Sequence, residues 1–267
     1  MNYVLQIFKE QVSNLHLIFR LAMYEIKGKY QMHYLGALWQ FLNPLIQVVI
    51  YWFVFGMGIR GGSPIGDTPF FVWLIIGLIP WFFIAPTINQ GSNSIFVKLG
   101  LVSKMNFPIS VLPTINIVSN AFSFIIMLVF LGLILVIYKI NPGIYILQLP
   151  YYLFSLFIFL FAITFLTSTI TIVVRDFHFM LQSVMRLMLY VTPVLWDTSA
   201  LPNGIETVLK LNPLYYLVEG FRNSLISDVW FFSDILYTVY FWAITLLILF
   251  IGSVLHINLR HRFVDYL

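Results

Sequence analysis

Long stretches without a charged residue dominate the pattern of hydrophobic and polar positions along this chain. They run between Lys29 and Arg60, Asp67 and Lys98, Lys104 and Lys139, Lys139 and Arg175, and Asp234 and Arg260. Each is longer than the ~20 residues that an α-helix needs to cross the hydrocarbon core of a bilayer. The pattern predicts spans near 36–58, 69–91, 110–137, 150–173 and 235–257, and a sixth near 178–196 that is apolar except for Arg186.

The first 35 residues follow a different pattern, in which apolar and polar positions alternate at helical spacing. The apolar members are Phe8, Val12, Leu15, Phe19, Ala22 and Ile26. A helix with this spacing has one apolar face and is typical of segments that lie in a membrane interface. We therefore predict a single all-α membrane domain over 1–267, with an interface helix in 1–35, six spans in 36–257 and a tail in 258–267.

Composition supports this prediction and excludes several classes of protein. Hydrophobic residues make up 61% of the 267 positions and charged residues only 9%, whereas about a quarter of the residues in a soluble domain are charged. So few charges cannot cover a water-facing surface, which excludes a soluble enzyme and a nucleic-acid-binding protein. The chain has no cysteine, which excludes disulfides, thiol catalysis and thiolate metal sites.

The distribution of lysine and arginine predicts the orientation of the chain. Six spans place both termini on one side of the membrane, and that side carries ten of the 14 basic residues. These ten are Lys9, Arg20, Lys27, Lys29, Lys98, Lys104, Arg175, Arg186, Arg260 and Arg262. Because basic loops are retained in the cytoplasm, we expect both termini to be cytoplasmic.

Two connections between the predicted spans differ from ordinary loops. Residues 91–108 combine polar, basic and apolar side chains and end at a proline, which predicts either a short cytoplasmic helix closed by a turn or an interfacial loop. Residues 197–234 are too apolar for a free loop, and Pro202, Pro213 and Gly220 interrupt them before either half is long enough to span. This segment predicts either two short helices that re-enter the outer leaflet or a cap on the outer surface.

The charges near the predicted spans suggest few chemical roles. Arg186 is the one charge inside a predicted span, so it either contacts an anionic cargo or has a structural role with a compensating partner. Glu219 and Arg222 are three residues apart, which favours a local ion pair over a ligand site. The ten acidic residues are scattered, and no Walker A, His-x-x-x-His or Gly-x-Ser-x-Gly sequence occurs. We predict that the chain has no catalytic residue, cofactor or metal of its own.

Aromatic residues, at 18% of the chain, concentrate in the predicted spans. The groups of interest are Tyr51, Trp52 and Phe55, then Trp81, Phe82 and Phe83, and finally Tyr190 and Trp196. Tryptophan and tyrosine near the ends of spans usually form belts at the membrane interface. A lining that stacks on sugar rings is the alternative, and the sequence leaves both open.

Six segments in a fixed order resemble the permease subunits of ABC-2 type exporters, particularly the branch that exports lipid-linked cell-surface polymers. They are YEIKGKYQMHYLGALWQFLNPLIQ (24–47), KMNFPISVLP (104–113), VVRDFHFMLQ (173–182), TPVLW (192–196), NPLYYLVEGFRNSL (212–225) and the RHRFVDYL ending. The set covers nearly the whole chain. Within the branch, the resemblance favours the wall teichoic acid permeases over those for O-antigen or capsular polysaccharide, although no single residue identifies the polymer.

The resemblance implies a homodimer of six-helix subunits in the bacterial plasma or inner membrane, surrounded by membrane lipids. Two copies of a cytoplasmic ABC ATPase would bind it and would hold the ATP and magnesium. It also implies that 92–106 is the coupling helix that contacts the ATPase, through Lys98, Leu99, Leu101, Lys104 and Asn106. The segment 201–230 would be the outer gate, with Pro213, Tyr215, Tyr216, Glu219 and Arg222.

The cargo that the resemblance implies is an undecaprenyl-diphosphate-linked polymer, moved from the cytoplasmic leaflet outward along a path formed largely by spans one and five. The candidate contacts for the cargo or its headgroup are Lys27, Lys29, Arg175, Arg186, Tyr51, Trp52, Phe55, Tyr190 and Trp196. A membrane transferase that uses polyprenyl phosphate is the less favoured alternative, because it would need paired carboxylates at a membrane face.

Overall fold

The computed structural model describes residues 2–30, 34, 36–102, 107–198, 202–261 and 263, and these residues are predominantly helical. The helices in chain order are α1 (Asn2–Ser13), α2 (Leu15–Tyr30), α3 (Trp39–Tyr51), α4 (Phe70–Ser92), α5 (Ser94–Val102), α6 (Leu112–Ile137), α7 (Leu149–Val173), α8 (Phe177–Val191), α9 (Asn203–Lys210), α10 (Pro213–Leu225) and α11 (Ile235–Leu259). A π-helix, Trp52–Ile59, continues α3, and short 3-10 turns precede α3, α6 and α7. The described residues also contain one isolated β-bridge, between Ile65 and Thr68.

Five helical stretches in the described residues are long and apolar enough to cross a membrane. They are Trp39–Ile59, Phe70–Gly100, Ile109–Ile137, Gly143–Val173 and Ile235–Leu259. These stretches confirm the five charge-free segments as helices of spanning length. The apolar composition was enough to locate these five helices in the sequence, because a helix of about 20 apolar residues matches the thickness of the hydrocarbon core.

The sixth predicted span, 178–196, is shorter in the structure than the sequence suggested. Its helix, α8, has 15 residues and ends at Val191, about 22 Å at 1.5 Å per residue. Thr192 leaves the helical conformation because Pro193 follows it, and proline disfavours helix in the residue before it. The six-span topology therefore remains a prediction.

Both ends of the described chain nevertheless lie at the same end of the helix bundle, which we call the terminal end. Arg260, just after α11, donates from Nη1 to Glu10 Oε1 of α1 at 2.9 Å. At the start of α8, His178 hydrogen-bonds with Ser92 at the end of α4, and just after α8, Val194 contacts α10 through Arg222. Short as it is, α8 connects the terminal end of the bundle with the opposite end.

The centre of the bundle consists of α4 and α7. Helix α4 packs against α6, α7 and α10, and α7 also packs against α11. In the apolar windows of these two spans 78% and 67% of the residues are buried, against 11% for the span that contains α3. Helix α3 therefore presents most of its surface to lipid or to another protein, whereas α4 and α7 are enclosed by this chain itself.

Polar side chains inside α7 bind its own backbone. Thr164, Thr167, Ser168, Thr169 and Thr171 are buried, and each donates its hydroxyl to a carbonyl three or four residues earlier. Hydroxyl groups in an apolar interior must find a partner, and the preceding helical turn offers one. Ser155, nearer the start of the helix, is paired in the same way, so this otherwise apolar helix carries six serine and threonine hydroxyls in the core.

The N-terminal segment is two helices rather than the single helix expected for 1–35. Helices α1 and α2 bury Ile7, Gln11, Ile18 and Ala22 against the bundle. Of the predicted apolar stripe, Phe8, Val12, Leu15 and Phe19 are exposed, and only Ala22 is buried. An apolar stripe that faces away from the protein is what an interface helix requires. Gln11 fixes α1 to the start of α6, where it donates to the Ser110 carbonyl at 2.9 Å.

Replacing Gly220 with alanine should destabilise the protein. A Cβ at this position would lie 2.0 Å from a ring carbon of Tyr152, whose side chain is buried against α10. Overpacking of a close-packed interior costs about 1–3 kcal/mol, so the thermal midpoint of the detergent-solubilised protein should fall.

Gly132→Ala is the matched control, because Gly132 also lies inside a helix but has no neighbouring atom within 4 Å of an added Cβ. Alanine there should leave the midpoint unchanged or raise it, since alanine favours helix over glycine by about 1 kcal/mol. Equal midpoints for the two variants would contradict the close contact between α7 and α10.

Candidate coupling and translocation sites

The predicted coupling segment contains a helix, α5, that begins two residues after α4 ends. Ile95 and Leu99 are fully buried on one face of α5. They belong to a second apolar cluster, the terminal cluster, which consists of Ile18, Ala22, Ile95, Leu99, Val111, Leu112, Ile115, Ile172 and Phe263. This cluster joins α5 to α2, to the beginning of α6, to the end of α7 and to the C-terminal segment.

An ion pair also links α5 to α2. Lys98 binds the Glu25 carboxylate, and both side chains are less than one-third exposed. On the other side of α5, Val97 is exposed, and the Arg175 guanidinium lies over the Phe96 ring at 5.3 Å. Helix α5 therefore has one face packed on the bundle and an exposed edge that can contact another protein.

The other predicted coupling residues extend past the end of α5. Helix α5 occupies Ser94–Val102, a narrower range than 92–106. Lys104 and Asn106 lie outside the described residues, as does the side chain of Leu101. Their contribution to the contact with an ATPase stays a prediction.

A polar pocket of about 420 Å³ lies beside α5 at the terminal end of the bundle. We call it the amide pocket, because it is lined by Asn89, Gln90, Asn93, Asn116 and Gln182 together with Glu25, Lys29, Ser94, Val97, Lys98 and His178. Helices α2, α4, α5, α6 and α8 each contribute. Amides donate and accept hydrogen bonds, so this lining can bind phosphate oxygens and sugar hydroxyls alike.

Two buried polar atoms of the amide pocket have no hydrogen-bond partner among the described residues. They are Asn89 Oδ1 and Ser94 Oγ, and Ser94 is only 4% exposed. An unpaired polar atom in an apolar interior costs free energy, so such atoms usually bind water or a ligand. The pocket therefore has hydrogen-bonding capacity that the surrounding side chains do not use.

Lys29 is the candidate headgroup residue that the structure places in this pocket. Its ammonium donates to Asn120 Oδ1 at 3.1 Å and to Gln90 Oε1 at 3.3 Å. Desolvation lowers the pKa of Lys29 below its ordinary value, while Glu25 opposes this shift and Lys98 adds to it. The acceptors of its hydrogen bonds are neutral amides, so no carboxylate is hydrogen-bonded to the Lys29 ammonium among the described residues.

The other basic candidates do not join Lys29 in one site. Lys27 lines a separate groove on α2 with His16 and Tyr24, and Arg175 lies against Phe96 of α5. Arg186 lies on the exposed side of α8, about 13 Å along the helix from its start. The four basic residues that the sequence suggested as contacts for one headgroup therefore lie in separate surroundings in the structure.

The aromatic candidates also divide between two environments. Tyr51, Trp52 and Phe55 pack against the main core, with the Trp52 and Phe71 rings 6.0 Å apart. Tyr190 is 55% exposed on α8, and its carbonyl accepts a hydrogen bond from Trp196 Nε1 at 2.7 Å. Tyr190 thus lies on the same exposed side of α8 as Arg186, and the other aromatic candidates pack within the fold.

The segment predicted as two short helices contains α9 and α10, as expected for that alternative, and α10 is enclosed by the bundle. Asn212 begins α10 by accepting a hydrogen bond from the Leu214 amide at 3.0 Å, and Pro213 provides the first helical residue. Ten of the 13 residues of α10 are buried, which argues against a cap lying on the surface. Entry of this pair into the outer leaflet remains a prediction.

Arg222 is buried at the centre of this arrangement. Its guanidinium binds Glu219 at 2.6 Å, confirming the predicted ion pair, and also binds the carbonyls of Pro193 and Val194. It lies 3.4 Å from the centroid of the Trp73 ring on α4. The guanidinium therefore joins three separate segments, and its charge faces protein rather than solvent.

Two tyrosines predicted for the outer gate connect α10 to its neighbours. The hydroxyl of Tyr215 hydrogen-bonds with Thr198 at 2.9 Å, and that of Tyr216 with Tyr151 of α7 at 2.8 Å. Tyr216 also stacks on Phe241 of α11, with ring centroids 4.5 Å apart. These contacts hold α10 against both α7 and α11.

Two features of these sites were missed from the sequence. The role of Arg222 as an enclosed charge was not foreseen, because the neighbouring Glu219, Asn223 and Ser224 made this part of the sequence look polar. The amide pocket was also missed, and its local signal was the polar run Asn89-Gln90-Gly91-Ser92-Asn93-Ser94 at the end of an apolar span. Asn116 and Asn120, inside another predicted span, were a second signal.

Long apolar helices with internally paired polar groups define a multi-pass membrane protein. Residues 16–226 match the ABC-2 type transporter family. This match covers well over half of the chain, which therefore belongs to that family.

Several curated relatives are similar to this chain along most of its length. An O-antigen export system permease protein RfbA from Myxococcus xanthus is 27% identical, over 82% of this chain and 84% of the relative. A protein of the same name from Klebsiella pneumoniae is 26% identical over 91% and 92%. The polysialic acid transport protein KpsM from Escherichia coli is 24% identical over 88% and 90%.

Replacing Glu219 with glutamine should lower the free energy of unfolding by about 2 kcal/mol or more, because it removes the carboxylate that is hydrogen-bonded to a buried guanidinium and leaves, among the described residues, only the charge of Asp197 to compensate it. Thermal unfolding of the purified protein measures this effect.

Glu206→Gln is the matched control in the neighbouring helix. Glu206 pairs with Lys210 at 2.8 Å, with side chains 32% and 41% exposed, and exposed pairs at this spacing contribute about 0.5 kcal/mol or less. If both variants lost the same stability, Arg222 would not depend on Glu219 for its compensation.

Proposed function

We propose that this chain is the transmembrane permease subunit of an ATP-driven exporter of lipid-linked cell-surface polysaccharide. The observation that carries the proposal is the family match over 16–226, together with relatives that are named for O-antigen export and polysialic acid transport and align over about nine-tenths of both chains. In this proposal the terminal end is cytoplasmic and a separate ABC ATPase hydrolyses the ATP.

The names of the relatives favour O-antigen or capsular polysaccharide as the cargo over teichoic acid. Two of them are named for O-antigen export and one for polysialic acid transport. The segment resemblance alone had favoured teichoic acid, and no residue in the amide pocket distinguishes a glycan from a polyol phosphate. We therefore propose a glycan linked to a polyprenyl diphosphate as the cargo.

In the proposed mechanism, α5 receives the movement of the ATPase and transmits it to the bundle. Its exposed edge at Val97, which also borders the amide pocket, is available to a partner, whereas Ile95 and Leu99 pack in the terminal cluster. The ion pair between Lys98 and Glu25 adds a polar connection to α2. Displacement of α5 would therefore move α2 and the ends of α6 and α7 together.

The translocation path in this proposal lies between two copies of the chain, along α3 and the exposed side of α8. Helix α3 is largely unburied, and Arg186 and Tyr190 are exposed on α8. A charge at this depth is costly against lipid, which favours a second subunit or a hydrated path as the environment of Arg186. A homodimer would supply the second subunit and could form the hydrated path at its interface.

Reversing the charge of Lys98 tests the role of α5. The Lys98→Glu variant places two carboxylates together, so export by the complex should fall by at least about fivefold, the lower end of typical coupling free energies. Adding Glu25→Lys restores opposite charges in exchanged positions and should recover most of the export. Lys27→Glu, on α2 like Glu25 but facing another groove, should have a much smaller effect.

The measurement is polymer export per ATP hydrolysed in proteoliposomes that contain the permease and its co-expressed ATPase. A double variant that exports no better than Lys98→Glu would refute the coupling role of this ion pair. Unchanged thermal stability in all three variants separates coupling from folding.

The proposed function itself is tested with the complex in lipid nanodiscs. ATP hydrolysis should require both subunits and should increase when an undecaprenyl-diphosphate-linked O-antigen fragment is added. A larger response to a lipid-linked teichoic acid precursor would reassign the cargo. Failure of any ATPase to copurify with the permease would contradict the exporter proposal.

A further inference from the structure

One face of α4 and one face of α6 form a continuous seam that changes from polar to apolar along its length. On α4, Phe71, Ile75, Ile79, Phe82 and Gln90 recur at helical spacing, so they share a face. On α6, the corresponding series is Asn116, Asn120, Met127 and Phe130. The amide pocket lies at the terminal end of this seam, and an apolar groove lies farther along it.

The apolar groove has a volume of about 230 Å³ and is bounded by three helices. Its lining residues are all apolar: Phe41, Pro44, Leu45, Val48, Val49, Phe71, Ile75, Ile79, Phe82, Met127 and Phe130. Leu45 and Val49 of α3 are nearly half exposed, so the groove opens on the outside of the bundle. At this depth the surrounding medium is hydrocarbon, and a lipid chain is the occupant that needs no polar partner.

The length of the seam selects the kind of lipid. Along α4, Phe82 lies about 12 Å and Phe71 about 28 Å from Gln90, at 1.5 Å per residue. One leaflet accounts for about half of a hydrocarbon core that is about 30 Å thick. A phospholipid chain whose headgroup lies at Gln90 ends near the beginning of the groove. A polyprenyl chain of 11 isoprene units is long enough to fill it.

The amide pocket supplies the complementary charge for the headgroup. Lys29 binds the neutral acceptors Gln90 and Asn120, whereas the nearby Lys98 is already paired with Glu25. An ammonium has three donors, so Lys29 can bind a phosphate oxygen as well. The almost fully buried Ser94 hydroxyl lines the same pocket and has no hydrogen-bond partner among the described residues, which gives a second, independent group that is available to a ligand.

We infer that each subunit binds one polyprenyl phosphate or diphosphate in the seam between α4 and α6, with the phosphate at Lys29 and the chain in the groove beneath α3. The inference rests on the proposed function for the class of lipid. It adds a location inside a single subunit, separate from the exposed side of α8 on which Arg186 lies. The carrier lipid thereby occupies a defined position before any movement of the glycan.

The test is photolabelling of the complex with its co-expressed ATPase in nanodiscs, without nucleotide. The probe is undecaprenyl phosphate with a diazirine at the far end of the chain, and labelled peptides are identified by mass spectrometry. Label should appear on the α3, α4 and α6 residues that line the groove. Unlabelled undecaprenyl phosphate should compete at least about tenfold better than phosphatidic acid or uncharged undecaprenol, a ratio that corresponds to about 1.4 kcal/mol.

Two variants on α3 form a matched pair. Leu45 and Ile46 are 46% and 47% exposed, but only Leu45 lines the groove. Leu45→Trp should reduce labelling about tenfold by filling the groove, and Ile46→Trp should leave it unchanged. Val49→Trp repeats the block at a second lining position if the first variant folds poorly.

Lys29→Gln tests the headgroup end of the seam. Undecaprenyl phosphate should then compete no better than undecaprenol, whereas Lys27→Gln should preserve the difference. Equal competition by phosphatidic acid in the unmodified protein, or labelling that survives both tryptophan variants, would overturn the inference. Labelling is measured without ATP, so the two proposals can fail separately. Absence of labelling would not affect the test of polymer-stimulated ATP hydrolysis, and absence of that hydrolysis would not prevent the labelling measurement.

Discussion

The enclosure of the Arg222 guanidinium is the constraint on which the arrangement of the opposite end of the bundle depends. A buried charge is tolerated only when its hydrogen bonds and counter-charge are supplied from nearby. Here Glu219 comes from α10 itself, two carbonyls come from the residues that follow α8, and the Trp73 ring comes from α4. Moving α4 or the segment after α8 away from α10 would remove the ring or the carbonyls that bind this buried guanidinium, so these segments are expected to move as one body.

The terminal end is held by a different kind of interaction. Its apolar cluster collects side chains from segments far apart in the sequence, including Ile18, Leu99 and Phe263. Ion pairs at its edge, from Glu25 to Lys98 and from Glu10 to Arg260, are partly exposed and contribute little to stability. A region with apolar packing inside and weak polar connections outside can rearrange at low cost, which suits the end that is proposed to receive the ATPase.

The spans could be predicted from the sequence, and the sites only in part. A stretch of 20 residues without charge indicates a segment in the hydrocarbon core whatever its neighbours are, so α4, α6 and α7 were located to within a few positions. The enclosure of Arg222 depends on α10 packing against α4, and nothing near Arg222 in the sequence specifies that contact. The amide pocket draws on five helices, and only its α4–α5 part is a continuous polar run. The end of α8 was an avoidable error, because Pro193 already signalled it.

Three basic groups of the chain differ in how far the fold itself satisfies them. Arg222 binds a carboxylate, two carbonyls and a ring. Among the described residues, Lys29 donates its hydrogen bonds to neutral amides, and Arg186 is exposed on α8. In a membrane, the charges of Lys29 and Arg186 must be compensated by a group other than hydrocarbon. The proposed lipid phosphate at Lys29 and the proposed second subunit or hydrated path at Arg186 compensate them separately, so the carrier lipid and the glycan would be bound by different parts of the molecule.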